Sequence, residues 1–258
     1  MILYKYTDMK TADLIIKNAT VKFSKATSLN DPFELSGMHY HTKTPVGNMA
    51  AKYLVASQLH GILSLTRNPL NPLMWAHYGK GKKIKRKDCH EWDSGNHSHA
   101  GLVFGIDVNE AQLNCNLNNF LPAKYGSVIY TATKPSDPFK DSENWDFLQT
   151  DFSFNSRYLE ALQRIFLYKS SHWAYEEEVR IVKHIAVLDN EIFKIDARSC
   201  FKEVYIGIRN SRDYKYLIST KRKINKHLPE CSIFVCDYDQ SEWNFRKLTI
   251  EQALNRCR

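Results

Sequence analysis

Short runs of strand-type sequence recur along this chain, and few helices separate them. Leu3 to Tyr6, Thr20 to Phe23, Gly61 to Thr66, Gly101 to Asp107, Ser127 to Thr131, Glu176 to Val182, Val204 to Ile208 and Ser232 to Cys236 each alternate apolar with polar residues or form a brief apolar run. Those are the two signatures of half-buried and buried strands. Helical spacing is rarer. Ala12, Ile15 and Ile16 share a face behind a cap at Thr7 or Asp8. Tyr158, Leu159, Leu162, Ile165, Phe166 and Lys169 form a second helical stripe, with Lys169 burying its stem at the rim. A short helix is expected near Leu73, after Pro69 and Pro72, and a basic amphipathic helix from Arg212 to His227. Many strands with few helices fit an α+β fold with a mainly antiparallel sheet better than a doubly wound parallel one.

A chain of 258 residues with 43% hydrophobic content can pack around one core, so a single domain over 1–258 is expected, interrupted by an inserted basic loop at 79–99. No stretch reaches the roughly 20 apolar residues of a membrane span. The opening Met1 to Tyr6 enters strand-like sequence at once, which reads against a secretory signal and towards the cytoplasm. The six cysteines lack paired spacing, so free thiols are expected.

Four blocks concentrate chemistry: Tyr4-Lys5-Tyr6, Asn30-Asp31-Pro32-Phe33, Trp75-Ala76-His77-Tyr78 and Tyr175 to Arg180. On a strand, Glu176, Glu178 and Arg180 share one face, with neighbouring carboxylates about 7 Å apart. An exposed face neutralised by Arg180 is the bland explanation. Trp173 and Tyr175 just before it favour a site in which an aromatic wall flanks carboxylates that stabilise developing positive charge. Trp75 alone reads as a core anchor, and Asn30-Asp31 also suits a turn that bonds its own backbone amides.

The net charge of +8 is clustered. Lys80, Lys82, Lys83, Lys85, Arg86 and Lys87, with Trp92 as a stacking ring, and Lys221, Arg222 and Lys223 on the basic helix make two candidate phosphate-contact surfaces. A solvated loop is the competing explanation. Cys89, His90, His97 and His99 match no zinc-site spacing, so no metal is expected. The chain has no Gly-rich phosphate loop, Walker lysine or Gly-x-Ser-x-Gly elbow.

Several blocks resemble those of the bacterial domain-of-unknown-function family twenty-nine seventy-one. They are Leu3 to Tyr6, the Phe23 to Glu34 block ending Asn-Asp-Pro-Phe-Glu, Trp75 to Tyr78, His99 to Gly101, Trp173 to Arg180 and Val204 to Gly207. More distantly, the chain resembles ADP-ribosyltransferases, including toxins of toxin-antitoxin and anti-phage systems. That resemblance implies a split antiparallel sheet gripping NAD as a substrate. It places Lys5 where that superfamily usually has His, and Glu178, or alternatively Glu176, at the catalytic glutamate. Tyr4, Tyr6, Ser24, Asn30, Asp31, Trp75, His77, Tyr78, Trp173 and Arg180 would then line the cofactor site. The acceptor it implies is nucleic acid, with RNA as the expected type, and an antitoxin protein would be a further partner. Two other readings stay open: a non-catalytic nucleic-acid-binding protein, and a nuclease using Asp31, His77, Glu176 and Glu178 with a divalent ion.

Overall fold

The computed structural model describes residues 1–38, 46–82, 96–135 and 145–257. The strands are β1 (Ile2–Thr7), β2 (Thr20–Lys22), β3 (Ser24–Lys25), β4 (His60–Thr66), β5 (Gly81–Lys82), β6 (Asn96–His97) and β7 (Leu102–Asp107). They continue with β8 (Ile129–Thr131), β9 (Tyr168–Ser170), β10 (Glu178–His184), β11 (Ile192–Lys194), β12 (Phe201–Ile206), β13 (Ser232–Tyr238) and β14 (Phe245–Thr249). The helices are α1 (Met9–Asn18), α2 (Val46–Leu59), α3 (Pro72–His77), α4 (Phe147–Thr150), α5 (Leu159–Phe166), α6 (Tyr214–His227) and α7 (Ile250–Arg256). The class is mixed α and β with an open, mostly antiparallel sheet. No helix among the described residues is long and apolar enough to cross a membrane.

Contacts divide the chain into two compact units. The first comprises Met1–Thr20, Leu65–Ala111 and Lys194–Arg258, and the second Val21–Ser64 and Gln112–Phe193. The boundary falls inside β4, between Ser64 and Leu65.

In the first unit β1 runs antiparallel to β7 from Ile2 opposite Asp107 to Thr7 opposite Leu102. β12 is antiparallel to β7, β13 is parallel to β12, and β14 closes antiparallel on β13. A return by hairpin cannot make the parallel pair, so a crossover must separate β12 from β13, and α6 supplies it. Its N-cap is Asp213, whose carboxylate accepts the Tyr216 N–H. Asp8 caps α1 in the same way, and Ala12, Ile15 and Ile16 are all buried, as their spacing predicts. The chain leaves α1 through Ala19 in the left-handed conformation, φ 52°, which turns it directly into β2.

In the second unit β4 lies between β10 and β3. Leu35, Ile62, Phe120, Leu162, Ile165, Phe166 and Val182 form its core, each side chain contributing about 1.5–3 kcal/mol by burial. The free edge of β10 is occupied by the segment before β8: Arg180 N–H donates to Gly126 O at 2.8 Å and Val128 N–H to Glu178 O at 3.0 Å. That approach requires glycine. A Cβ on Gly126 would sit 1.9 Å from the carbonyl oxygen of Arg180.

Three local expectations change. The helical stripe stops at Phe166, and Lys169 lies in β9, which pairs parallel with β8 and places Lys169 opposite Tyr130. Glu176 precedes the strand in a 3-10 turn. Every residue of β10 is buried, so the charged face has no solvent to explain it. Sequence reading also passed over α2, β14 and α7; α7 has a full capping box at Thr249 and Gln252.

Candidate functional site

The second unit buries a compact set of charges. Arg180, 1% exposed, sends Nε to Glu178 Oε1 at 2.9 Å and its two terminal nitrogens to Glu34, at 2.8 Å to Oε2 and 2.7 Å to Oε1. One of those nitrogens also donates to Phe166 O at 2.6 Å, where α5 leaves carbonyls unsatisfied and its dipole is negative. Lys169 Nζ completes the group, 2.6 Å from Glu176 Oε2 and 2.9 Å from Glu178 Oε2.

Two left-handed residues aim the carboxylates. Leu35, φ 59°, follows Glu34, and Glu177, φ 45°, separates Glu176 from Glu178. Non-glycine residues rarely adopt this region, at a cost of about 1 kcal/mol or more. Through Glu177, consecutive carboxylates that a regular strand would set apart converge on one ammonium.

Burial alone would push the Glu178 carboxyl up, but Arg180 and Lys169 hold it down at about 2. Burial pushes the Glu34 carboxyl up, against the pull of Arg180. The Lys169 ammonium loses hydration by burial, yet Glu178 and Glu176 hold its pKa above the ordinary lysine value. Burial also raises the Tyr130 phenol, whose oxygen accepts the Glu178 N–H at 2.9 Å.

Lys169 opens this group to a cavity of about 180 Å³. Asp31, Phe33, Ser36, Gly37, Thr131, Lys134, Tyr168 and Ser170 form most of the remaining wall. Gly37 is required there, since a Cβ would meet Arg164 O at 2.6 Å. Trp173 lies beside Lys169, whose Nζ is 5.1 Å from the ring centre.

The expected site residues fall into two sets. Glu176, Glu178, Arg180, Trp173, Asp31, Asn30 and Ser24 belong to the second unit, where Asn30 is exposed and Ser24 is tied into β3 opposite Ile62. Lys5, Tyr4, Tyr6, Trp75, His77 and Tyr78 belong to the first. There the Tyr4 hydroxyl donates to Glu203 at 2.9 Å, Tyr6 donates to Asn68 O at 2.9 Å, and Trp75 is fully buried with its indole N–H on Pro69 O. Of the basic residues, Lys221 pairs with Glu251 at 2.8 Å and Lys223 with Asp13, while Arg222 and Lys80 are exposed. Lys83, Lys85, Arg86, Lys87 and Trp92, and the side chain of Lys82, lie outside the described residues. So do Cys89 and His90; the other five cysteines are free.

Glu34 and Lys169 were missed as site residues. Their signals were a glutamate closing the Asn30-Asp31-Pro32-Phe33 turn and a cation on the apolar stripe of a helix. The carboxylates of a divalent-ion nuclease do not assemble either: no group of three potential metal ligands occurs among the described residues, and the carboxylates that converge are paired with Arg180 and Lys169.

Residues 74–181 match the family described as "Protein of unknown function (DUF2971)". This bears out the family resemblance over that stretch. The DUF2971 match takes in the Trp75 to Tyr78 and Trp173 to Arg180 blocks and ends one residue past Arg180. Glu34, the distant partner of Arg180, lies outside it. No curated protein and no solved structure matches the chain significantly.

Proposed function

We propose that the protein cleaves the nicotinamide–ribose bond of NAD and transfers ADP-ribose to nucleic acid, with the cavity beside Lys169 as the nicotinamide-ribose site. The observation that carries this reading is that two buried carboxylates, Glu176 and Glu178, share one ammonium that is itself part of a cavity wall. The pyridinium ring of NAD is cationic, and as its glycosidic bond breaks, positive charge passes to C1′ of the ribose. The bonding electron pair leaves with nicotinamide, and an acceptor nucleophile bonds to C1′ and loses its proton. A ligand cation that displaces Lys169 from Glu178 meets a carboxylate held ionised by Arg180, in surroundings too dry to screen it. Phe33 and Tyr168 supply ring surface at the cavity, and the net charge of +8 favours a polyanionic acceptor. The distant resemblance to ADP-ribosyltransferases supports the same chemistry and the same glutamate. Lys5, Tyr4 and Tyr6 have no part in this pocket as proposed.

The test is release of nicotinamide from NAD by the purified protein, alone and with RNA or DNA, followed by detection of ADP-ribose on the nucleic acid. Absence of release and of any thermal shift with NAD would sink the reading. A second reading is favoured by one specific observation, that both oxygens of Glu178 are engaged by Arg180 and Lys169. In that reading the charge group is structural and the protein binds nucleic acid without chemistry, so salt-sensitive binding with no nicotinamide release supports it.

A further inference from the structure

The second unit holds another, more open cavity of about 710 Å³, which shares no wall residue with the one beside Lys169. Asn116, Tyr125, Asp151, Phe152 and Phe154 give it its chemistry. Single exposed rings are ordinary on a protein surface, but here two belong to one wall: Phe152 is 44% exposed and Tyr125 37%. Each is held in place by a neighbouring ring. Tyr125 stacks on Phe154 with 4.5 Å between centres, and the Phe152 centre lies 4.4 Å from that of His184. Phe154 N–H donates to Asn116 O at 2.9 Å, which ties two parts of the wall together.

The same wall contains an acceptor with nothing to accept. Asn116 Oδ1 is buried and has no hydrogen-bond partner among the described residues. A buried acceptor left in that state is unfavourable, and turning the amide about its soft χ2 breaks no bond of that oxygen, so a donor entering the cavity binds it with advantage. Asp151 adds a carboxylate, of which Oδ1 accepts the Thr150 hydroxyl at 3.0 Å. Rings beside two acceptors suit a planar ligand that carries an amine, and the carboxylate repels phosphate from the interior. Cations stand at the rim instead. Lys124 and Arg157 are exposed and adjoin the wall residues Tyr125 and Ser156, with Lys124 Nζ 5.4 Å from the Tyr125 ring centre. A neutral sugar makes no use of them, whereas a nucleic-acid strand lays its phosphates there.

We propose that this cavity takes an unpaired, amine-bearing base of a single-stranded nucleic acid, stacked against Phe152 and Tyr125 with its amine on Asn116 Oδ1. This rests on the reading of nucleic acid as the acceptor and says which form of it is held. A base within a duplex has its faces covered and its amine paired, so it does not enter. Uracil has no amine to offer.

The experiment measures binding of the full chain to labelled oligoadenylate, oligocytidylate, oligouridylate and an adenylate–uridylate duplex by fluorescence anisotropy, in wild type, Asn116→Leu and Phe152→Ala. Melting temperature and nicotinamide release are read on the same samples. Wild type is expected to bind oligoadenylate and oligocytidylate about tenfold or more tighter than oligouridylate or the duplex. Asn116→Leu should bring oligoadenylate and oligouridylate to within about threefold of each other, and Phe152→Ala should weaken oligoadenylate about tenfold. Equal affinities in wild type, or an undiminished preference in folded Asn116→Leu, overturn the proposal. If Asn116→Leu fails to fold, unchanged affinity in Phe152→Ala overturns it instead. Displacement of oligoadenylate by NAD gives the cavity to the adenine of NAD and also overturns it. An Asn116-dependent preference without any nicotinamide release upholds the cavity and overturns the transferase, while release without that preference does the reverse.

Discussion

Arg180 grips Glu34 with both terminal nitrogens, at 2.7 and 2.8 Å, across 146 positions of sequence. The pairing is bidentate, buried and backed by a third bond to Glu178, a geometry that a lysine cannot reproduce. It locks the turn after Phe33 to β10 of the second unit, and the Asp31 cavity is built on that turn. Removing one partner of such a group leaves a charge stranded in a dry interior.

Glu178→Gln is accordingly expected to destabilise the protein by about 3–5 kcal/mol, because Arg180 and Lys169 each lose a buried counter-charge. Glu176→Gln, which leaves every Arg180 bond intact, should cost less. Urea denaturation of the two variants checks the order. A Glu178→Gln protein as stable as wild type would mean that the group is wetter than its burial indicates. Where folding persists, nicotinamide release should fall further in Glu178→Gln than in Glu176→Gln.

Acid should weaken the second unit well before ordinary carboxylates titrate. His60, buried at 1% exposure against Phe120 and His184, has its imidazole pushed down to about 3 by burial and by His184. In the unfolded chain it takes up a proton near 6.5, so between those values the unfolded state binds more protons and stability falls as pH falls. The loss from His60 is on the order of 3 kcal/mol by pH 4. Glu178 adds a loss of the same sign as pH drops from 4.5 towards 2. Glu34 has the opposite sign, since its raised carboxyl favours the folded state below 4.5 and loses that contribution as pH rises. Melting temperature against pH, in wild type and His60→Phe, measures this; the variant should have the flatter slope between pH 6.5 and 4.

Gly126→Ala should be among the most damaging single-methyl changes. Its new Cβ would overlap the Arg180 carbonyl oxygen, and relief requires breaking the Arg180 N–H to Gly126 O bond at the edge of β10. Loss of soluble protein or a fall of about 3 kcal/mol or more is expected, measured by denaturant midpoint. A neutral substitution would show that this edge is not paired as described.

Trp75→Ala should cost about 3–5 kcal/mol as a cavity in the first unit, where the indole is fully buried, contacts Tyr6 edge-on and is bonded to Pro69 O. Its affinity for NAD at temperatures where it remains folded should match wild type. A selective loss of NAD binding without loss of stability would return Trp75 to the ligand site.

Much of the secondary structure was legible. The cap at Asp8 and the apolar spacing of α1 and α5 act within a few residues, so the sequence displays them directly. The shared face of Glu178 and Arg180 was legible as a pattern, while the turn that carries Glu176 and the burial of all three were not. Alternation says which side chains point the same way, whereas solvent or protein on that side is decided by segments elsewhere, here Glu34, Lys169 and the run from Gly126 to Tyr130. Lys169 was read as a helix rim residue because the apolar spacing continued to it; pairing of β9 with β8 ended the helix first.

By itself the sequence determined the mixed class, the main strands, the cap and apolar face of α1 and the clustering of charge, because each follows from local periodicity, capping chemistry and composition. Only the tertiary structure decided that Asp31 faces a cavity, that Glu176 and Glu178 share one ammonium, and that Arg180 answers to Glu34. Those relations join residues up to 146 positions apart, and their energy comes from excluding water around charges. Water exclusion is a property of the packed unit, and no window of neighbouring residues contains it.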